Sequence, residues 1–118
     1  MKTENNKAAG AKEVTLSFLK ALNEEDFKAA RGYLNDDMKF IGVMGTRDSG
    51  DAYIKDMEKM KFKYKIQKVF EDGNDVSVFY DIDMGGTTIF CSGWYHLSNR
   101  KISTLNVIFD PRPLLEKK

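Results

Sequence analysis

The sequence is poor in several residue types and patterns that would mark particular classes of protein. It has one cysteine and two prolines among 118 residues, so an intramolecular disulfide framework is excluded. No apolar run approaches the roughly 20 residues that a membrane-spanning helix needs, and the polar start MKTENNKAAGAKE lacks the apolar segment of a secretory signal. Lysine and arginine exceed aspartate and glutamate by one, so net charge would not attract nucleic acid or anionic lipid.

These absences favour a cytoplasmic protein of ordinary globular composition. We expect residues 1–10 to form a flexible tail and residues 11–118 to form one domain with a hydrophobic core. We expect no cofactor, no metal, no nucleic-acid partner and no membrane partner. The alternation of lysines and aromatics in KMKFKYKIQK could suit single-stranded nucleic acid, but lysines on the outer face of a strand are more simply solvated.

Apolar periodicity divides the chain into a helical first half and a second half of strands. Val14, Phe18 and Leu22 repeat at helical spacing, and a short second helix ends at NDD. After the strand MKFIGVMG, the segment RDSGD starts a third helix with Tyr53 and Met57 in its apolar stripe. The period then changes to two, and turns at EDGND, GG and SNRK separate four strands. This order predicts an α+β domain with three N-terminal helices packed on a mostly antiparallel sheet.

This order of elements, together with the closing segment KISTLNVIFDPRPLLE, resembles the SnoaL-like branch of the nuclear transport factor 2-like superfamily over residues 11–115. The resemblance implies a cystatin-like cone, in which a strongly curved sheet wraps over three helices and leaves an apolar pocket between them. The superfamily includes ketosteroid isomerases, limonene-epoxide hydrolases and polyketide cyclases, as well as non-catalytic transport and assembly domains.

The stretch FCSGWYHLSNRK contains the only cysteine, tryptophan and histidine of the chain, which raises the question of a shared site. Side chains directly opposite each other on antiparallel strands share a face. If Gly85-Gly86 is a two-residue hairpin loop, Tyr80 lies opposite Cys91 and both face the core.

The strand that holds this stretch requires an irregularity if its rare residues are to share one face. If Asn99-Arg100 is a second two-residue loop, Trp94 and His96 also face the core. Trp94 is an odd number of residues from Cys91, however, so a regular strand cannot turn both inward. We predict a β-bulge at Ser92-Gly93, because a glycine inside a strand often marks a bulge.

The predicted pocket combines the inward positions of the helices and strands. One histidine with one cysteine makes a poor metal site, and a buried cysteine is usually a small apolar residue. His96 is the group able to exchange a proton near neutral pH, so His96 and Tyr80 are the candidate catalytic residues, although a lone histidine is more often structural. The predicted pocket consists of Phe18, Leu22, Phe40, Tyr53, Met57, Val78, Tyr80, Ile82, Cys91, Trp94, His96, Leu105, Val107 and Phe109.

The resemblance also allows two known chemistries to be compared position by position. The oxyanion-binding tyrosine and the general base of ketosteroid isomerases correspond to Phe18 and Gly42. The two aspartates and the arginine of the epoxide hydrolases correspond to Val107, Ile82 and Tyr80. Acid and base groups are therefore missing from both sets, and neither mechanism is implied.

The outer face of the strand meander is also apolar, and an exposed apolar patch usually marks an interface. We therefore expect a homodimer, alongside a pocket for a small apolar or amphipathic ligand and an unidentified reaction if there is one. The alternative is a non-catalytic dimeric accessory domain whose pocket is filled by core side chains, and a measured cavity distinguishes the two. The expected dimer residues are Phe79, Phe90, Tyr95, Leu97, Ile102 and Ile108.

Overall fold

The computed structural model describes residues 10–116, so the predicted flexible tail lies outside the described residues apart from Gly10. The helices are α1 (Ala11–Asn23), α2 (Phe27–Gly32), α3 (Gly50–Met60) and α4 (Arg112–Leu115). The strands are β1 (Leu34–Gly42), β2 (Gly45–Arg47), β3 (Lys63–Asp72), β4 (Asp75–Asp83), β5 (Thr88–Ser98) and β6 (Lys101–Phe109). No helix in this range is long and apolar enough to cross a membrane.

The six strands form one curved sheet in the order β2-β1-β6-β5-β4-β3. Strand β1 runs parallel to β6, and the other neighbouring pairs are antiparallel. The predicted α+β class, with three helices ahead of the strand meander and a mostly antiparallel sheet, is confirmed. Strand β2 was not predicted, because three residues are too few to show a period.

Side-chain caps explain where α2 and α3 begin. The Ser49 side chain accepts a hydrogen bond from the backbone nitrogen of Ala52 at 3.1 Å and so starts α3. Asp26 caps α2 in the same way. At the end of α1, the Asn23 side chain bonds the backbone nitrogen and carbonyl of Tyr64 at 2.7 and 2.9 Å, which joins this helix to β3.

The β-bulge of the strand meander lies in a different strand from the one predicted. Strand β5 pairs with β4 in one continuous register, so the predicted bulge at Ser92-Gly93 is wrong. The register shifts instead between His96 and Leu97 on the side facing β6, where Ser103 is the additional residue. The Ser103 hydroxyl donates to the carbonyl oxygen of His96 at 3.2 Å, which stabilises the bulged backbone.

Because β5 is regular, its side chains alternate without interruption from Cys91 onward. Trp94 and His96 therefore point to the outer face, where 54% of Trp94 is exposed, and the prediction that both face inward is wrong. The prediction that Tyr95, Leu97 and Ile102 lie on the outer face is wrong for the same reason. All three are buried in the core.

One buried side chain conflicts with an otherwise apolar core. Thr15 on α1 is completely buried, and its hydroxyl has no hydrogen-bond partner among residues 10–116. Thr15→Val keeps the shape and removes a hydroxyl that loses its hydration on folding, so the free energy of unfolding should rise by about 1 kcal/mol. Urea denaturation measures this change, with the exposed Thr88→Val as control. Equal effects of the two substitutions would contradict the interpretation.

Candidate functional site

A cavity of about 330 Å³ lies between α3 and the helical side of the sheet. Side chains from β1, β2, β3, β4, β6 and α4 complete its wall, and the exposed Met44 and Met60 mark its mouth. A volume of this size is within the usual range for small-molecule sites. The lining is Phe40, Gly42, Val43, Met44, Gly45, Arg47, Tyr53, Asp56, Met57, Met60, Phe62, Tyr64, Tyr80, Ile82, Met84, Val107, Phe109 and Leu114.

Half of the predicted pocket residues line this cavity. Strand alternation puts the predicted residues of β4 on the face of the sheet that the helices cover, but it carries no information about how far along each strand a cavity extends. The residues predicted for the pocket that do line the cavity are Phe40, Tyr53, Met57, Tyr80, Ile82, Val107 and Phe109.

The other half of the predicted pocket residues lies elsewhere in the fold. Five of these residues are buried where α1 fills the space against the sheet, so they belong to the core without reaching the cavity. Trp94 and His96 are on the opposite face. The five core residues are Phe18, Leu22, Val78, Cys91 and Leu105.

Buried tyrosines supply the polar groups inside the cavity. Tyr80 and Tyr95 share a hydrogen bond of 2.8 Å between their hydroxyls, and Tyr64 donates to the Met57 sulfur at 3.6 Å. Burial raises the pKa of Tyr53, Tyr64 and Tyr80 above the ordinary value. These phenols therefore stay neutral near pH 7 and cannot act as bases. Because the Tyr64 hydrogen is given to Met57, its oxygen is left to accept a hydrogen bond from a ligand.

Gly93 makes room for the tyrosine pair. A Cβ atom at this position would overlap the Tyr80 hydroxyl and would lie only 3.0 Å from Tyr95 Cε1. The glycine that suggested a bulge is therefore present because another side chain passes closely over the backbone.

Sequence reasoning missed the charged pair of the cavity wall. The Arg47 Nε on β2 lies 2.7 Å from the Asp56 Oδ2 on α3 in an ion pair, and both side chains are part of the lining. The predicted pocket contains no carboxylate, because strand alternation does not bear on positions in a helix. The signal was present in α3, since Asp56 directly precedes Met57 and follows Tyr53 by three residues on the same helical side.

The candidate catalytic histidine lies in a surface cluster. Asp75 Oδ1 accepts from the Trp94 indole at 2.9 Å and lies 2.8 Å from His96 Nδ1. The bond from Trp94, followed by that from His96, holds the pKa of Asp75 below its ordinary value. Since His96 is remote from the cavity, the geometry that motivated its catalytic role is absent, and His96 is a hydrogen-bonded surface residue.

The cysteine also lacks the surroundings of a nucleophile. Cys91 is buried, its thiol donates to the carbonyl oxygen of Ile89 at 3.4 Å, and burial raises its pKa to about 11. A thiol with this pKa is protonated at neutral pH and inert. Within residues 10–116, no group of three or more histidine, cysteine, aspartate or glutamate side chains could hold a metal ion.

The outer sheet face carries an aromatic row that crosses three strands. Phe70, Phe79 and Phe90 contact one another in sequence, with ring centroids 6.0 and 6.2 Å apart. Trp94 and Ile108 extend the apolar surface over β5 and β6. We call these five residues the outer patch. Of the residues expected in a dimer interface, Phe79, Phe90 and Ile108 lie in it.

Comparison with known proteins places this geometry among solved structures. An NTF2-like protein of unknown function from Cytophaga hutchinsonii is 51% identical, with a TM-score of 0.88 over 89% of this chain and 94% of that one. An LEH-like epoxide hydrolase from M. tuberculosis shares the fold at 22% identity and a TM-score of 0.79, over 90% of this chain and 86% of that one.

A putative SnoaL-like polyketide cyclase from Shewanella putrefaciens has the same fold at 16% identity and a TM-score of 0.73, over 88% of this chain and 82% of that one. No protein-family model matches the sequence, and neither does any curated protein. At the identity and coverage shared with the Cytophaga protein, relationship extends beyond fold, and the chain belongs to the nuclear transport factor 2-like superfamily.

Proposed function

We propose that the domain binds a small, largely apolar molecule in the cavity beside α3. The observation that carries the proposal is the cavity itself, about 330 Å³ with a mainly apolar wall. In the alternative, an accessory domain, core side chains would fill the cone. An apolar wall that is left in contact with water is unfavourable, which favours a ligand as the reason for the cavity.

The composition of the wall supports an adaptable site. Met44, Met57, Met60 and Met84 all line the cavity, and methionine side chains adjust to differently shaped apolar ligands. The neutral tyrosine hydroxyls can orient a polar atom of the ligand.

We propose ligand binding and no reaction for this cavity. Gly42, Tyr80, Ile82 and Val107, which the resemblance pairs with catalytic residues of isomerases or epoxide hydrolases, all line the cavity. They contribute neither a carboxylate nor an arginine. The structural relatives named for a hydrolase and a cyclase therefore support a ligand cavity of the same kind in this chain, and not their chemistry.

Blocking the cavity tests the proposal. Val107→Trp introduces a large side chain into the wall, while Val69→Trp makes the same change at a half-buried position outside it. Native mass spectrometry of freshly purified protein should show a retained small molecule that Val107→Trp lacks and Val69→Trp keeps. Titration with 2-methylnaphthalene should show affinity at least about tenfold weaker in Val107→Trp. Equal binding by both variants would reject the cavity as the site.

We also propose that the outer patch pairs with a second copy of this chain. Large and small side chains alternate across its central strands, since Phe79 lies opposite Ser92 and Trp94 lies opposite Ser77. Ridges of one copy can therefore enter the recesses of another related by a two-fold axis. Exposed fractions of 60% for Phe90 and 68% for Ile108 leave apolar area available for burial in such a dimer.

A further inference from the structure

The mouth of the cavity contains one charged pair whose hydrogen-bonding capacity is only partly used. Arg47 and Asp56 are the charged side chains among the lining residues. Their side chains are 44% and 23% exposed, so they lie where the apolar interior meets solvent. A ligand that enters the cavity has to place one end beside them.

Part of each side chain is already occupied. Arg47 forms an ion pair with Asp56, with Nε 2.7 Å from Oδ2, and donates through Nη1 to the carbonyl oxygen of Thr46 at 2.7 Å. A guanidinium has five N–H donors, so the remaining ones have no partner among residues 10–116. The second Asp56 oxygen, Oδ1, is likewise without a hydrogen bond in this part of the chain.

The balance of charge at this position determines which ligand group fits. A carboxylate could bond Arg47, but it would meet the negative charge of Asp56 nearby, and an ammonium group would meet the opposite difficulty. A neutral hydroxyl avoids both, since its oxygen accepts from Arg47 while its hydrogen donates to Asp56. Each bond involves a charged partner and is stronger than a neutral one.

We propose that the Arg47–Asp56 pair selects ligands with an alcohol or phenol hydroxyl at one end of an apolar body. This inference rests on the proposed binding function, and it adds the chemical class of the ligand. Groups that only accept or only donate can bond one member of the pair but not both.

Three bicyclic probes of nearly equal size test the proposal by calorimetric titration at pH 7. They are 2-naphthol, which is neutral, 2-naphthoate, which is anionic, and 2-methylnaphthalene, which has no polar group. We expect wild-type protein to bind 2-naphthol about tenfold more tightly than the other two.

A charge change at Asp56 should then remove the preference for 2-naphthol over 2-naphthoate. Asp56→Asn leaves the Arg47 guanidinium without its counter-ion, so 2-naphthoate should bind about tenfold more tightly than to wild type. Affinity for 2-methylnaphthalene should stay within about twofold. Asp48→Asn removes the same charge from an exposed residue outside the cavity lining and should leave all three affinities unchanged.

The outcomes distinguish failure of the proposed selectivity from failure of the proposed binding function on which it rests. If 2-naphthol binds no better than 2-methylnaphthalene, or Asp56→Asn leaves naphthoate binding unchanged, the pair is only a structural link between β2 and α3, and the proposed selectivity is wrong. The proposed binding function would then still stand, because 2-methylnaphthalene binds. If none of the three probes binds, both proposals fail.

Discussion

Gly93→Ala is expected to lower the free energy of unfolding by about 2–5 kcal/mol, an unusually large effect for one methyl group. The added Cβ would overlap the Tyr80 hydroxyl and crowd the Tyr95 ring. Tyr80 is completely buried and Tyr95 nearly so, so neither ring can move aside without disturbing the core. The shift would also break their 2.8 Å hydrogen bond and leave two buried hydroxyls unsatisfied.

Urea denaturation with matched variants checks this prediction. Gly32→Ala is the control, because a Cβ at Gly32 meets no atom within 4 Å, and its stability should be unchanged or slightly higher. Tyr80→Phe removes the overlapping oxygen, so the effect of Gly93→Ala should be smaller in that background than in wild type. If Gly93→Ala is as stable as Gly32→Ala, the close packing over Gly93 does not have the energetic weight assigned to it.

Gly93 also shows where prediction from sequence ends. A glycine inside a strand can indicate a bulge or the close approach of another group, and a single sequence does not distinguish these causes. The two hairpin loops were predicted correctly, since Ile82 pairs with Ile89 and Ser98 pairs with Lys101. The bulge consists of one additional residue, and it lies in β6. Because it was predicted in β5, every side chain of β5 after that point was assigned to the wrong face of the sheet.

The fold could be predicted from the sequence more fully than the site could. Helical and strand periods are set by local spacing, which is why α1, α3 and the meander could be predicted. The cavity depends on which side chains fail to fill the space between distant elements. Arg47 and Asp56 belong to a short strand and a helix, and their pairing arises only when β2 folds beside α3.

The proposed dimer depends on the same corrected register. Because Trp94 lies on the outer face and Tyr95 lies in the core, the proposed interface differs from the one predicted from sequence, but it is still apolar. Its central part is now the aromatic row of Phe70, Phe79 and Phe90. Aromatic residues at the centre of an interface commonly contribute most of its binding energy, which makes Phe90 the most informative position to change.

Phe90→Asp is expected to weaken dimerisation by at least about 100-fold, because association would bury an unpaired carboxylate and lose an aromatic contact. Phe90 is exposed in the single chain but lies opposite Asp81, so the added carboxylate should lower the stability of each chain by no more than about 1 kcal/mol. Sedimentation velocity across a dilution series measures the association. Leu115→Asp makes a similar change at an exposed residue outside the outer patch and should remain dimeric. A wild-type protein that is monomeric at all concentrations, or a Phe90→Asp variant that dimerises like wild type, would show that the outer patch does not pair copies of this chain.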